Sequence, residues 1–209
     1  MFVYQSLLSR AQSDKPVRVG LIGAGKFGSM FLSQVPTTGG LTVSVIADLA
    51  PDRARQACRD VGWSDEHVAD VRFTDDARDL TTANDVDVVV EATGNPVVGV
   101  SHARMAFAAG KHIVMVNVEA DVLAGGILAR EALDAGVVYS MAYGDQPALT
   151  CEMVEWARAC GFQVIAAGKG TKYLPGYEHS TPDTVWDHYG LTARQASEAG
   201  MNSQMFNSF

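Results

Sequence analysis

The chain has 209 residues, of which 47% are hydrophobic and 19% charged, and carries a formal net charge of −8. That length suits one domain, or one domain and part of another, with ample apolar material for a core. The acidic balance argues against a nucleic-acid partner, which would need a basic face, and no apolar run reaches the length of a membrane span. The N-terminus lacks the charged-then-apolar pattern of a signal peptide. Cys58, Cys151 and Cys160 are scattered and lack C-x-x-C spacing, so they read as thiols of a reducing compartment, with the cytoplasm as the expected location.

Residues 2–12 carry Val3, Leu7 and Leu8 at helical spacing and predict a short amphipathic arm, ended by Lys15-Pro16. The arm, residues 1–15, has two readings: it packs on its own domain or on a partner subunit. An apolar strand, Val17 to Ile22, then feeds Gly23-Ala24-Gly25-Lys26-Phe27-Gly28, and Phe27, Met30, Phe31 and Val35 continue as a helix. A glycine triplet alone is weak, but this one has the strand before it and the helix after it. In such an elbow Gly23 permits the tight turn, Gly25 lets backbone approach a pyrophosphate, and Gly28 lets helix and strand pack closely. Free N–H groups at the helix start, with the positive dipole end, then hold the phosphates.

Pro36 to Gly40 is a loop, and a second strand over 41–48 ends at Asp48, twenty positions beyond Gly28. A carboxylate there accepts the hydroxyls of an adenosine ribose and favours NAD, since a 2′-phosphate would meet like charge. Arg53 and Arg55 lie just beyond and offer the opposite compensation, so NAD and NADP both stay open. The plainer alternative for Asp48 is capping the helix that Pro51 opens. Residues 71–73 predict a short strand, and Val86 to Ala92 reads as a strand covered on both faces.

Thr93-Gly94-Asn95-Pro96 follows, with Asn95 as N-cap and Pro96 at the first helical position. Ala92, Thr93 and Gly94 are expected to pass close to the nicotinamide ribose. A helix over 97–109, a strand over 113–116, a helix over 126–135, a strand over 137–140, a helix over 148–160 and a strand over 163–167 complete the alternation. Strands alternating with helices predict an α/β fold: a doubly wound parallel sheet with right-handed crossovers, the Rossmann arrangement, over residues 16–168. His102 and His112 read as structural.

Residues 169–209 differ: they are loop-like, with a helix suggested over 192–199, and are too few for a substrate domain. They are expected to begin a catalytic region that is truncated here. Beyond strand ends, ligands of open α/β sheets gather, which nominates Asn117 as well as the glycine elbow; capping the next helix is its alternative role. For proton transfer or carbonyl polarisation the candidates are Glu119, Asp145, Lys169 and Lys172, the last three each with a plainer reading as a cap or an exposed lysine. Glu152 joins Asp145 as a weak pair of ligands for a divalent metal.

The runs Val19 to Met30, Val90 to Pro96, Gly110 to Asp121 and Tyr143 to Ala148 resemble the homoserine dehydrogenase-like oxidoreductases that carry a C-terminal SAF domain. Within that group the chain is most similar to the 1-deoxy-D-xylulose 5-phosphate reductoisomerase-like (DXR-like) reductases. The resemblance implies NADPH-dependent reduction of a small, polar, phosphorylated or hydroxylated carbonyl compound, metal assistance, and a link to isoprenoid precursors. Asn117-Val118 stands where homoserine dehydrogenases carry Asn-Lys, which counts against homoserine as substrate. A homo-oligomer acting on a small molecule is the expected whole. The alternatives are a homoserine dehydrogenase-like oxidoreductase of other substrate and a non-catalytic dinucleotide sensor or interaction module.

Overall fold

The computed structural model describes residues 3–144 and 146–168, together with seven separate positions between 179 and 194. The chain divides into two compact units, Met1–Leu149 and Thr150–Phe209. In the first unit six strands form one parallel sheet: β1 (Val17–Ile22), β2 (Leu41–Ala47), β3 (Arg72–Thr74), β4 (Val88–Glu91), β5 (His112–Met115) and β6 (Tyr139–Met141). Their order across the sheet is β3-β2-β1-β4-β5-β6. The chain therefore reverses its direction of travel between β1 and β4, where a crevice opens beyond the strand ends.

Eight α-helices are described: α1 (Val3–Gln12), α2 (Lys26–Gln34), α3 (Pro51–Asp60), α4 (Asp65–Ala69), α5 (Ala77–Thr81), α6 (Pro96–Ala108), α7 (Val118–Asp134) and α8 (Gln146–Ala159). Because side chains alternate along a strand, Leu21 and Ile22 enter opposite layers. Leu21 joins Val43, Ile46, Leu32 and Trp63 in one core, while Ile22 joins Val45, Val89, Ile113, Phe107 and Leu128 in the other. Two apolar layers explain why the central strands read as unbroken hydrophobic runs. The arm α1 meets the main body at Gly40, where an added Cβ would strike the Leu7 carbonyl.

The predicted fold class stands, with differences in detail. The helix expected over 126–135 starts eight residues earlier, at Val118. Asn117 sets that start, its Oδ1 accepting the Ala120 N–H at 3.2 Å. The strand expected over 163–167 is absent: residues 162–168 carry no regular structure, and Ile165 is 93% exposed. An apolar run makes a buried strand only when a sheet edge and a covering layer receive it. Two short helices, α4 and α5, escaped the sequence reading; Ser64 and Asp76 cap them, their side chains accepting the His67 and Arg78 amides. Most of the helix suggested over 192–199 lies outside the described residues.

Candidate functional site

The crevice at the reversal point is a cleft of about 330 Å³ walled by Gly23 and Gly25, by Asp48 and Arg53, and by Ala92, Thr93 and Asn95. At the β1–α2 elbow each glycine has a separate reason to lack a side chain. Gly23 sits at φ +94°, and a Cβ there would also press on the Ala92 carbonyl oxygen at 2.9 Å. A Cβ on Gly28 would collide with the Gly23 carbonyl, so α2 can approach β1 only because that atom is missing. Gly25 is the opposite case: a Cβ there meets nothing within 4 Å, and the residue lines the cleft. The empty space above Gly25 is room for a ligand's backbone-close group. Gly25 is also the N-cap of α2 and supplies no side-chain cap, leaving the first N–H groups of the helix to an incoming acceptor.

Among the other elbow residues, Ala24 is buried, and its N–H donates to Asp48 Oδ2 at 2.9 Å. Lys26 and Phe27 open α2 on its exposed side. Asp48 follows β2 and is 8% exposed; its Oδ1 accepts the Ala50 N–H at 2.9 Å and an Arg53 guanidinium N–H at 3.1 Å. The capping and ribose-binding readings of Asp48 are thus not exclusive: the carboxylate orders its own turn and still lines the cleft. Arg53 holds Asp48 while its side chain stays 70% exposed. Asp75 adds a second carboxylate to this end of the cleft, one that sequence reasoning passed over.

Across the crevice, Thr93 and Ala92 line the cleft as expected, and Gly94 turns the chain at φ +70°. Asn117 is buried at 2% exposure, caps α7, and donates from Nδ2 to the Asn95 carbonyl at 2.8 Å. Its place is behind the cleft wall rather than on it. His102 is also buried, on α6, and lines the cleft; it pairs with Glu91, which the sequence reading did not single out. A glutamate closing an apolar strand was the available signal, because a fully buried carboxylate must have a reason to be there.

Asp145, Lys169 and Lys172 lie outside the described residues. Glu152 is on α8. Among the described residues, no group of three or more His, Cys, Asp or Glu side chains is placed to hold a metal ion. Tyr139 donates its hydroxyl to Asp121 at 2.7 Å, and burial with that carboxylate pushes its phenol far up, so it stays protonated.

Residues 17–116 match the model of the oxidoreductase family with an NAD-binding Rossmann fold. Residues 144–209 match a different model, the catalytic domain of oxidoreductase DRL. Over 79 residues the chain is 38% identical to inositol 2-dehydrogenase 2 of Paenarthrobacter aurescens, a stretch covering 37% of this chain and 21% of that protein. The chain thus spans about a fifth of the length of that curated relative. A homoserine dehydrogenase from Thiobacillus denitrificans shares the fold at a TM-score of 0.53 and 23% identity, over 61% of this chain and 29% of that one. An NAD-binding oxidoreductase from Klebsiella pneumoniae does so at a TM-score of 0.50 and 23% identity, over 70% and 39%.

Proposed function

We propose that this chain is the nucleotide-binding portion of an NAD(P)-dependent oxidoreductase that interconverts a CH–OH group and a carbonyl on a small polar compound. The observation that carries the proposal is the open space over Gly25, at an uncapped helix start, in the crevice where the sheet reverses. An anionic diphosphate fits there because backbone N–H groups and the helix dipole are aimed at it and no side chain intrudes. When bound, the nicotinamide supplies the hydride chemistry. The chain's own residues place it: the elbow takes the diphosphate, Asp48 the adenosine ribose hydroxyls, and the β4–α6 turn the remaining half.

The preferred coenzyme is NAD(H). Asp48 and Asp75 both line the ribose end, and a 2′-phosphate would meet two carboxylates with one arginine, already paired to Asp48, to offset them. This sets aside the NADPH preference implied by the DXR-like resemblance. Lys169, Lys172 and Asp145 fall within the DRL catalytic-domain match and are the proposed substrate-facing residues; reductoisomerase-like chemistry rests on the sequence resemblance alone. Assembly into a homo-oligomer and a cytoplasmic location are likewise proposals.

Calorimetric titration with NADH and NADPH tests the reading. Tighter NADH binding is expected; equal or tighter NADPH binding would overturn the coenzyme assignment, and silence with both would overturn the site. Binding without turnover of any polyol or sugar-like carbonyl would favour a non-catalytic sensor.

A further inference from the structure

Behind the β4–α6 turn, polar side chains from β4, α6, the turn itself and the start of α7 meet in one chain of hydrogen bonds. Glu91, the last residue of β4, is wholly buried. Its Oε1 accepts the Thr93 hydroxyl at 2.5 Å and faces His102 Nδ1 at 3.1 Å, while Oε2 has no hydrogen-bond partner among the described residues. Thr93 Oγ1 in turn receives the Asn95 N–H at 3.3 Å and Asn117 Nδ2 at 3.4 Å.

The directions follow from the donor inventory. With two N–H donors on the Thr93 oxygen, its single proton points to Glu91. Oε1 is then an acceptor only, so His102 Nδ1 donates to it. A carboxylate taken fully out of water is costly unless it is hydrogen-bonded, and the Thr93 hydroxyl and the His102 ring N–H are the donors that offset it. Such an arrangement adds little to stability over an apolar side chain of similar size, so its use here is geometric. Gly99 lets the parts meet, because a Cβ there would come within 2.7 Å of Asn117 Nδ2 and 3.3 Å of Glu91 Oε2.

We propose that Glu91 is a positioning residue, supported by His102, that locks the Thr93 hydroxyl and the adjoining backbone into the wall that receives the nicotinamide ring of the dinucleotide. The inference rests on the dinucleotide reading above. With the diphosphate at the elbow and the adenosine ribose at Asp48, the other half extends to the far side of the crevice. Thr93, Asn95, Val98 and His102 line that side.

The test compares two ligands that differ only beyond the second ribose. NADH and ADP-ribose are titrated into the unaltered chain and into Glu91→Gln, Thr93→Val and Thr93→Ser. Glu91→Gln and Thr93→Val are expected to lose about tenfold in NADH affinity, the size of one charge-assisted hydrogen bond. ADP-ribose should bind all forms within about twofold, and Thr93→Ser, which keeps the hydroxyl, should restore NADH binding. A merely structural network would weaken both ligands alike, and that result overturns the inference, as does unchanged NADH affinity in Thr93→Val. If Glu91→Gln does not fold, Thr93→Val decides, since Thr93 is exposed. An unaltered chain that binds neither ligand sinks the dinucleotide reading itself; one that binds both while the variants lose neither or both alike sinks this inference alone.

Discussion

The two crossovers that frame the cleft are built in opposite ways. At β1–α2 the work is done by side chains that are missing: a turn at positive φ, a bare cradle and a close approach of helix to strand. At β4–α6 it is done by side chains that are present, Glu91, Thr93, His102 and Asn117, gathered from positions up to 26 residues apart. A backbone cradle recognises charge and tolerates whatever lies beyond the diphosphate. A hydrogen-bonded network recognises orientation, because each member fixes the proton of the next.

That contrast can be broken most forcefully at Gly25. Gly25→Val puts into the cradle a side chain whose Cβ meets nothing within 4 Å, so dinucleotide affinity should fall about 100-fold, near 2.7 kcal/mol. The melting temperature should stay close to that of the unaltered chain; preserved affinity would mean the diphosphate sits elsewhere. Gly28→Ala should act on the fold first, costing about 1–3 kcal/mol in a urea titration, since its Cβ meets a backbone carbonyl that cannot move aside. Gly99→Ala, the corresponding change at the second crossover, should cost less, about 1 kcal/mol, because its neighbours are mainly side chains. Equal costs at the two positions would erase the distinction between backbone-built and side-chain-built turns.

Asp48→Asn sharpens the comparison within the first half. An amide still accepts from the Ala24 N–H, while the repulsion of a 2′-phosphate is relieved, so the NADH-to-NADPH affinity ratio should drop by about tenfold. The smallest effect concerns Cys58, away from both crossovers. Burial pushes its thiol from 9.0 up to about 11, so the folded state holds the proton more tightly than the unfolded chain. The stability this contributes is fully present below pH 9 and is lost as pH rises towards 11, by on the order of 2 kcal/mol. A thiol reagent at pH 8 should label exposed Cys151 and Cys160 and leave Cys58 until the chain unfolds. Prompt labelling of Cys58 would show its surroundings to be open.

The same contrast explains what the sequence made legible. The elbow is contiguous, and Gly23 and Gly28 carry local backbone demands, so their structural roles could be read directly. Asp48 was legible from its distance to the elbow, although its bonds to Ala24 and Arg53 were not. The sheet followed from apolar runs, and the false strand over 163–167 came from the same signal without a layer to cover it. The Glu91–His102 pair was not legible, because its meaning lies in a contact between β4 and α6 that only the fold creates. His102 looked structural for the same reason, and α7 began early because a single asparagine cap outweighed the helix-weakening Gly125-Gly126 downstream.

The account stands or falls on where a dinucleotide touches the backbone. Amide chemical shifts of the isotope-labelled chain, followed by NMR during titration with NADH, report this residue by residue. The largest changes should fall on the amides of residues 24–28, with a second group at 93–95. Saturable binding that leaves the elbow amides unmoved, or no binding at all, would contradict it.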